Sequence, residues 1–476
     1  MSKITPIENG TISRDNQSDC QSCWYFYGYT RFVVMMIVSA CLTLLYSNPI
    51  TLNFTVICMK DVIDNRTGQT HWLEDSTKIS AAFSAVAVGT FIGSFPIVTL
   101  FHRFGLRYTL LAYGLVSTFS TALLPISVNI SFYAVILIRV LQGFGQAVVF
   151  SIQGSVVEKW STISGMGLFL SVLAAYIQTA PTLTMPLAAF CCESSLTWRA
   201  LYYINALITL ALFVVFFLFY TDSPEDNRFV SEAELKLIKT GKHPTVRSKV
   251  PYKAILKDPS VWSSLLGIFS GVLGAVFLII FGPTYLNKAL NFDVKSTGIA
   301  TALPFFLALF GKLGVGHISD KLTFMSAKRR LQMFGTISQG MTVICYIVLS
   351  QTTSKIIAQI FYTSAIFFCA LNIAGPWKCL SMVVRQHNHF PMSIATMESC
   401  LIVLLSPVLV GFGAPNNTVE EWSRIYLIVG IIIALFTIPF IFFADSEPAP
   451  YTKPDWNNNK PKEISPSFDM KEPRVY

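Results

Sequence analysis

Charge is scarce in this chain. Asp, Glu, Lys and Arg make up 13% of its 476 residues, against roughly 25% in ordinary soluble domains. The shortage excludes a string of soluble domains, because the apolar residues, 53% of the total, come in long runs from residue 32 almost to residue 443. About 20 apolar residues suffice to cross a bilayer core. The first thirty residues lack a short apolar core followed by a small-residue cleavage site, so no removable signal peptide is expected and the first run reads as an uncleaved anchor. There is no phosphate-cradling G-x-x-x-x-G-K-S/T, no H-E-x-x-H and no nucleophile–base constellation, so neither an enzyme nor a cofactor is expected. The pair His387 and His389 reads as solvated loop residues. The ten cysteines form no disulfide framework: Cys41, Cys58, Cys345, Cys369, Cys379 and Cys400 sit in apolar runs, and Cys20–Cys23 is a lone C-x-x-C without the second pair of a zinc site. Cys191 and Cys192 fall in an outer loop, where a bridge stays open.

What is present is a series of twelve apolar runs. They lie near 32–58, 79–101, 108–128, 131–157, 162–190, 200–220, 261–286, 297–318, 331–350, 356–380, 391–413 and 425–443. About forty polar residues separate the sixth run from the seventh. The expected class is therefore an all-α membrane protein of twelve transmembrane helices in two six-helix halves. The expected divisions are a tail at 1–30, a first half at 31–220, a central loop at 221–260, a second half at 261–443 and a tail at 444–476. Loops after even-numbered runs hold sixteen Lys or Arg and those after odd-numbered runs eight, so both termini are expected in the cytoplasm. Basic cytoplasmic loops also account for the net charge of +9, and no nucleic acid partner is inferred. The sequons at Asn65 and Asn416 then face away from the cytoplasm and are candidate glycosylation sites.

Two loops echo one another. "HRFGLR" (102–107) follows the second run and "GHISDK" (316–321) ends the eighth. They resemble the G-x-x-x-D-R/K-x-G-R/K loop of the major facilitator superfamily. The second keeps Gly316, Asp320 and Lys321; the first keeps Arg103, Gly105 and Arg107 but has His102 where the acid belongs. The resemblance implies a cytoplasmic gate formed by Arg103, Arg107, Asp320 and Lys321. A basic cluster snorkelling at the membrane surface is the plainer alternative. The fold so implied places substrate between the halves and transports it by rocking one against the other.

In the fourth run, "RVLQGFGQAVVFSIQGSVVEKW" is similar to the R-x-L-Q-G-x-x-E-G-V-T-(F/Y)-P segment of solute carrier family 17, with Arg139, Leu141, Gln142, Gly143, Lys159 and Trp160 in register. Trp198, "DSPEDNRFVSEAELKLI", "PTYLNKALNFDVKSTGIATALPF", "EEWSRIYLI" and "DSEPAPYTKPDW" continue the likeness in order over roughly residues 31–456. That family contains the vesicular glutamate transporters, sialin and the sodium–phosphate carriers. The resemblance implies a secondary transporter of a small organic or inorganic anion in the plasma membrane or a lysosomal or vesicular membrane. It would be coupled to H+ or Na+, or facilitative. The chain departs from the family at charged positions. Its first run reads "YSNPITLNFTV", without the family arginine; Gln146 replaces the fourth-run acid; Gly271 and Phe83 fall near an arginine and a histidine of the glutamate transporters. A non-transporting receptor or regulatory protein that keeps the fold is the alternative, and no protein partner is read from the sequence.

Polar side chains inside spans tend to face a cavity or one another, since facing lipid is costly. Arg139, Gln142, Gln146 and Gln153 are spaced 0, 3, 7 and 14 residues apart, which places them on one helix face at about 100° per residue. That face lines a pathway or supplies interhelical hydrogen bonds, with Arg139 near enough to the outer end to snorkel. Further pathway candidates are Asn48, Asn53, Gln178, Asn372, Lys378 and Glu398. Glu398, the one carboxylate well inside a span, is a candidate for the coupling proton or for a static pair with Lys378. Lys378 or Arg139 could hold the anion by charge-assisted hydrogen bonds. Lys312 and His317 are assigned to the cytoplasmic surface.

Overall fold

The computed structural model describes residues 28–59, 62, 72–162, 165–240, 251–321 and 325–452. Among these residues, twelve helices are long and apolar enough to cross a membrane. They are α1 Thr30–Thr55, α2 Ser76–Ser94, α3 Arg103–Ile130, α4 Phe132–Trp160, α5 Leu168–Glu193, α6 Thr197–Phe219, α7 Pro259–Ala289, α8 Val294–Lys321, α9 Ala327–Gln351, α10 Lys355–Val384, α11 Phe390–Gly413 and α12 Val419–Phe443. No strand occurs among the described residues. This follows from the solvent: in a bilayer core each backbone N–H and C=O must be satisfied within the segment, which a helix does alone. The shortest span, α2, has 19 residues, about 28 Å at 1.5 Å per residue. Twelve crossings return both ends to one face. Phe91, Ile92, Leu207 and Phe412 are exposed on the outside of the bundle. Such a surface would aggregate in water and suits lipid.

Close packing relies on small residues. A Cβ on Gly89 would lie 1.9 Å from the Val140 carbonyl oxygen, and one on Gly143 would lie 2.0 Å from that of Val86. The α2 and α4 backbones therefore touch, as small-residue stripes allow in membranes. The first six spans meet the last six mainly along two seams, α2 with α11 and α5 with α8. Gly298 on α8 packs against Ala189 and Met185, and Gly411 on α11 against Ser80.

The segment between α6 and α7 is attached to the first half. Its helix Glu232–Lys239 presents the buried Glu234, whose carboxylate accepts the backbone N–H groups of Thr30 (3.2 Å) and Arg31 (3.0 Å). A carboxylate at a helix start satisfies orphan donors and opposes the positive end of the helix dipole.

A disulfide joins Cys58, just past α1, to Cys192 near the end of α5. This corrects the assignment of Cys58 to an apolar run: α1 ends at Thr55, which brings Cys58 to the same membrane face as Cys192. Disulfides persist in oxidising compartments, so the bridge marks the non-cytoplasmic face, in agreement with the distribution of basic residues. Peptide mapping without reduction should recover Cys58 and Cys192 in one cross-linked species. Cys58→Ser should lower stability by about 2–4 kcal/mol, and an alkylatable Cys58 in the native protein would contradict the bridge.

Candidate functional site

Three spans are interrupted in the inner half of the bundle. In α4 the helix Phe132–Gln146 gives way to Val149–Trp160. In α5 Met166–Ala174 gives way to Tyr176–Glu193. In α10 Lys355–Leu371 passes through a 3₁₀ turn at Asn372–Ala374 and resumes at Pro376–Val384. Pro376, with no N–H to leave unpaired, opens the new half-helix. The breaks lie roughly 20–28 Å below the outer helix ends. Interrupted helices expose backbone groups, which membrane proteins tolerate only where protein or a cavity satisfies them.

The polar face of α4 divides in two. Arg139 is 2% exposed. Its Nε donates to the Ala82 carbonyl on α2 (3.1 Å), and its Nη1 donates to the Pro49 carbonyl on α1 (2.7 Å) and to Gln142 Oε1 (2.9 Å). Gln142 Nε2 continues to Thr121 on α3 (3.2 Å). Arg139 does not snorkel, because carbonyls on two neighbouring helices replace the water it would otherwise seek. This pair joins four helices of one half. Gln146, at the α4 break, and Gln153 are half-buried and make no hydrogen bond through their side chains to another described residue.

The asparagines also divide. Asn48 Nδ2 donates to Ser117 (2.9 Å) and Thr209 (3.3 Å), fastening α1 to α3 and α6. Asn53 is buried near the outer end of α1 without such a bond among the described residues. Asn372 Nδ2 (3.2 Å) and Gln339 Nε2 on α9 (3.0 Å) both donate to the Gly267 carbonyl. A Cβ on Gly271 would lie 2.0 Å from Asn372 Nδ2, so glycine is required beside this amide. The amide oxygens of Gln339 and Asn372 are buried without partners among the described residues. Gln339 was missed from the sequence, where a lone glutamine in an apolar run gives no sign of its partner.

Lys378 is half-buried on the inner half-helix of α10. Among the described residues Glu398 on α11 makes no ion pair, and Lys378 is not paired with it. Glu398 Oε2 is buried with no hydrogen-bond partner among the described residues. Lys312 was assigned to the surface and is instead buried, 8% exposed. Because α8 runs to Lys321, Lys312 lies nine residues before its end, about 14 Å deep. Its Nζ donates to the Ala174 carbonyl (3.0 Å) and to Gln178 Oε1 (3.3 Å) on α5, across the seam between halves. At the α5 break the Gln178 N–H turns to the Ala175 carbonyl (2.9 Å), freeing that of Ala174 for the lysine.

The expected gate residues do not act alike. Arg103 is exposed. Arg107 donates from Nε (2.9 Å) and Nη2 to the Phe217 carbonyl at the end of α6, and its backbone N–H goes to Asp222 Oδ1 (2.9 Å). Gly105 has φ +79°, and a Cβ there would meet Asp222 Oδ2 at 2.0 Å. The acid missing at His102 is thus supplied by Asp222, and Arg107 ties α3 to α6 within one half rather than across halves. The side chains of His102, His317, Asp320, Lys321 and His389 lie outside the described residues, as do Asn65 and the Cys20–Cys23 pair. His387 is buried, 3% exposed, and not solvated as expected; it ends the 3₁₀ turn Arg385–His387 that follows α10. Asn416 lies in a short turn between α11 and α12, with its Nδ2 donating to Glu421 Oε1 (3.1 Å).

Hydrogen bonds between the halves begin at the outer surface, where the Lys295 N–H meets Glu193 Oε1 (2.9 Å), pass Ser84 Oγ to the Leu404 carbonyl (2.9 Å), and end at Lys312. Phe83 and Phe281 pack edge to face at 5.9 Å beside a cavity of about 210 Å³ lined by Glu74, Ser80, Thr284 and Lys288. The halves are thus sealed outside, and among the described residues no hydrogen bond joins them inward of Lys312.

A sequence model of the Major Facilitator Superfamily matches residues 27–389. The chain belongs to this superfamily. Its curated relatives include the uncharacterized transporter slc-17.2 of Caenorhabditis elegans, 22% identical over 89% of this chain and 93% of the relative. Mouse sodium-dependent phosphate transport protein 1 is 21% identical over 87% and 93%, and human sialin 22% identical over 71% and 70%. These are members of solute carrier family 17, in accord with the motif in α4. The D-xylose–proton symporter has a similar fold, with TM-score 0.68 at 14% identity over 87% of this chain and 98% of that one. So does the inward-facing, unoccupied bacterial homologue of the lysosomal transporter Spinster, with TM-score 0.65 at 13% identity over 87% and 97%. In this superfamily member, Arg139→Ala should lower stability by roughly 3 kcal/mol, since three hydrogen bonds to a buried charge are lost. Thermal unfolding of the detergent-solubilised protein checks this, and an unchanged midpoint would refute the scaffold role.

Proposed function

We propose that this protein is a secondary active transporter that moves a small organic or inorganic anion by alternating access. The observation that carries the reading is the pairing of an outer seal with interrupted helices in the inner half. Among the described residues the hydrogen bonds across the two seams run inward as far as Lys312, and the breaks in α4, α5 and α10 cluster around that depth. Discontinuous helices at a repeat interface are where transporters of this general design hold solute and coupling ion. The relatives named as a sodium-dependent phosphate transport protein and sialin support an anion as the solute. Gln146, Gln153, Asn53, Asn372 and Lys378 are proposed to line the path. Arg139, Gln142 and Asn48 support it from behind. At the cytoplasmic end, Arg103, with Asp320 and Lys321 of the second half, forms the proposed gate, and Arg107 braces α3 against α6 behind it.

Glu398 is the proposed coupling residue, for a proton or a sodium ion. It carries a carboxylate oxygen that is buried without a partner among the described residues, and an unpaired carboxylate in such a place is stable only if it binds a cation. Labelled-anion uptake into proteoliposomes, measured at two pH values with and without sodium, should show saturable flux in the wild type. Glu398→Gln should abolish accumulation driven by whichever cation gradient powers the wild type while sparing exchange of anion between compartments. Unaltered gradient-driven uptake in that variant would reject the coupling role. No saturable flux of any anion from folded wild-type protein would reject transport in favour of a receptor-like protein.

A further inference from the structure

Lys312 is the one described lysine more than nine-tenths buried, at 8% exposure. It extends from α8 in the second half to α5 in the first. There its Nζ donates to two neutral oxygens, the Ala174 carbonyl at 3.0 Å and Gln178 Oε1 at 3.3 Å. No described carboxylate forms an ion pair with it. An ammonium has three donors, and the third has no described acceptor. The amide nitrogen of Gln178, itself 7% exposed, likewise makes no hydrogen bond to a described residue. Among the described residues the place is therefore rich in donors and poor in negative charge. Burying a cation against dipoles alone is costly, and a neutral side chain of similar volume would avoid the cost.

The geometry points to Lys312 as the residue that receives the anionic oxygens, carboxylate or phosphate, of the transported solute, with the Gln178 amide as second donor. The Ala174 carbonyl, freed by the break in α5, holds the ammonium in place. When the solute arrives, its negative charge compensates the buried cation and occupies the unused donors. Lys312 and Gln178 belong to opposite halves, so one anion touching both registers how the halves sit relative to each other. The inference rests on the anion-transport reading and adds to it a specific residue outside the polar face of α4.

The test uses full-length protein in proteoliposomes, with labelled inorganic phosphate and labelled glutamate as the two probes, and thermal unfolding in detergent with and without each. Wild-type protein should take up at least one probe saturably and unfold at a higher temperature in its presence. Lys312→Gln should raise KM for that anion about tenfold or more, the loss of one charge-assisted hydrogen bond, and should remove the anion-dependent shift. Lys312→Arg, which keeps the charge, should stay nearer the wild type. In anion-free buffer Lys312→Gln should unfold at the same or a higher temperature, because it removes an uncompensated charge and still offers Ala174 a donor. An unchanged KM in Lys312→Gln would overturn the assignment while leaving anion transport intact. So would a lowered anion-free unfolding temperature with the anion shift preserved, the mark of a packing lysine. Absence of both uptake and shift in the wild type with these probes and with every further small anion tried would overturn the anion-transport reading and this inference with it.

Discussion

A cation inside a bilayer must find oxygen within the protein, and in this chain the oxygen comes mostly from helix backbones. Arg139 rests on the carbonyls of Ala82 and Pro49, Arg107 on that of Phe217, and Lys312 on that of Ala174. No carboxylate pairs with Arg139 or Lys312 among the described residues. Charge here is handled by dipoles that the helices already carry, and the helices adjust to supply them. The α5 break beside Lys312 is such an adjustment: a side chain that reaches into the hydrogen-bond ladder interrupts it.

The same device serves two ends, depending on which helices it joins. Arg139 with Gln142, Asn48 with Ser117 and Thr209, and Arg107 with Phe217 all act within the first half. Asn372 and Gln339 share the Gly267 carbonyl within the second. These bonds make each half a rigid unit. Bonds between the halves are fewer: Lys295 to Glu193, Ser84 to Leu404, and Lys312 to α5. A body built this way yields first along its seams.

The spans were legible because hydropathy in runs of this length has one structural meaning in a membrane. The spacing of Arg139, Gln142, Gln146 and Gln153 suggested one polar face, but α4 breaks after Gln146 and carries Gln153 on the next half-helix, and the tertiary partners of Arg139 and Gln142 make the outer part scaffold. Lys312 was misread because a helix end, uncertain by a few residues, determines whether a lysine can reach the surface. Three more residues on α8 placed it out of reach. Asp222 was missed for a different reason. The first gate-like loop appeared to lack its acid, and the acid came from the far end of α6, well over a hundred residues along the chain. Cys58 was taken for a span residue for want of three residues at the end of α1.

By itself the amino-acid sequence determined the number of spans, their order, their orientation and the superfamily. All four depend on local composition and short motifs, which need no knowledge of what lies across the bundle. The tertiary structure alone decided which polar groups are scaffold and which remain unsatisfied. Hydrogen bonding and charge compensation are pairwise, and the partners of Arg139, Lys312, Arg107 and Cys58 lie on other helices, 57 residues or more away for most of these contacts. Glu398 and Lys312 stand out by having, among the described residues, no charge of opposite sign beside them, and a chain read in one dimension has no neighbours to compare.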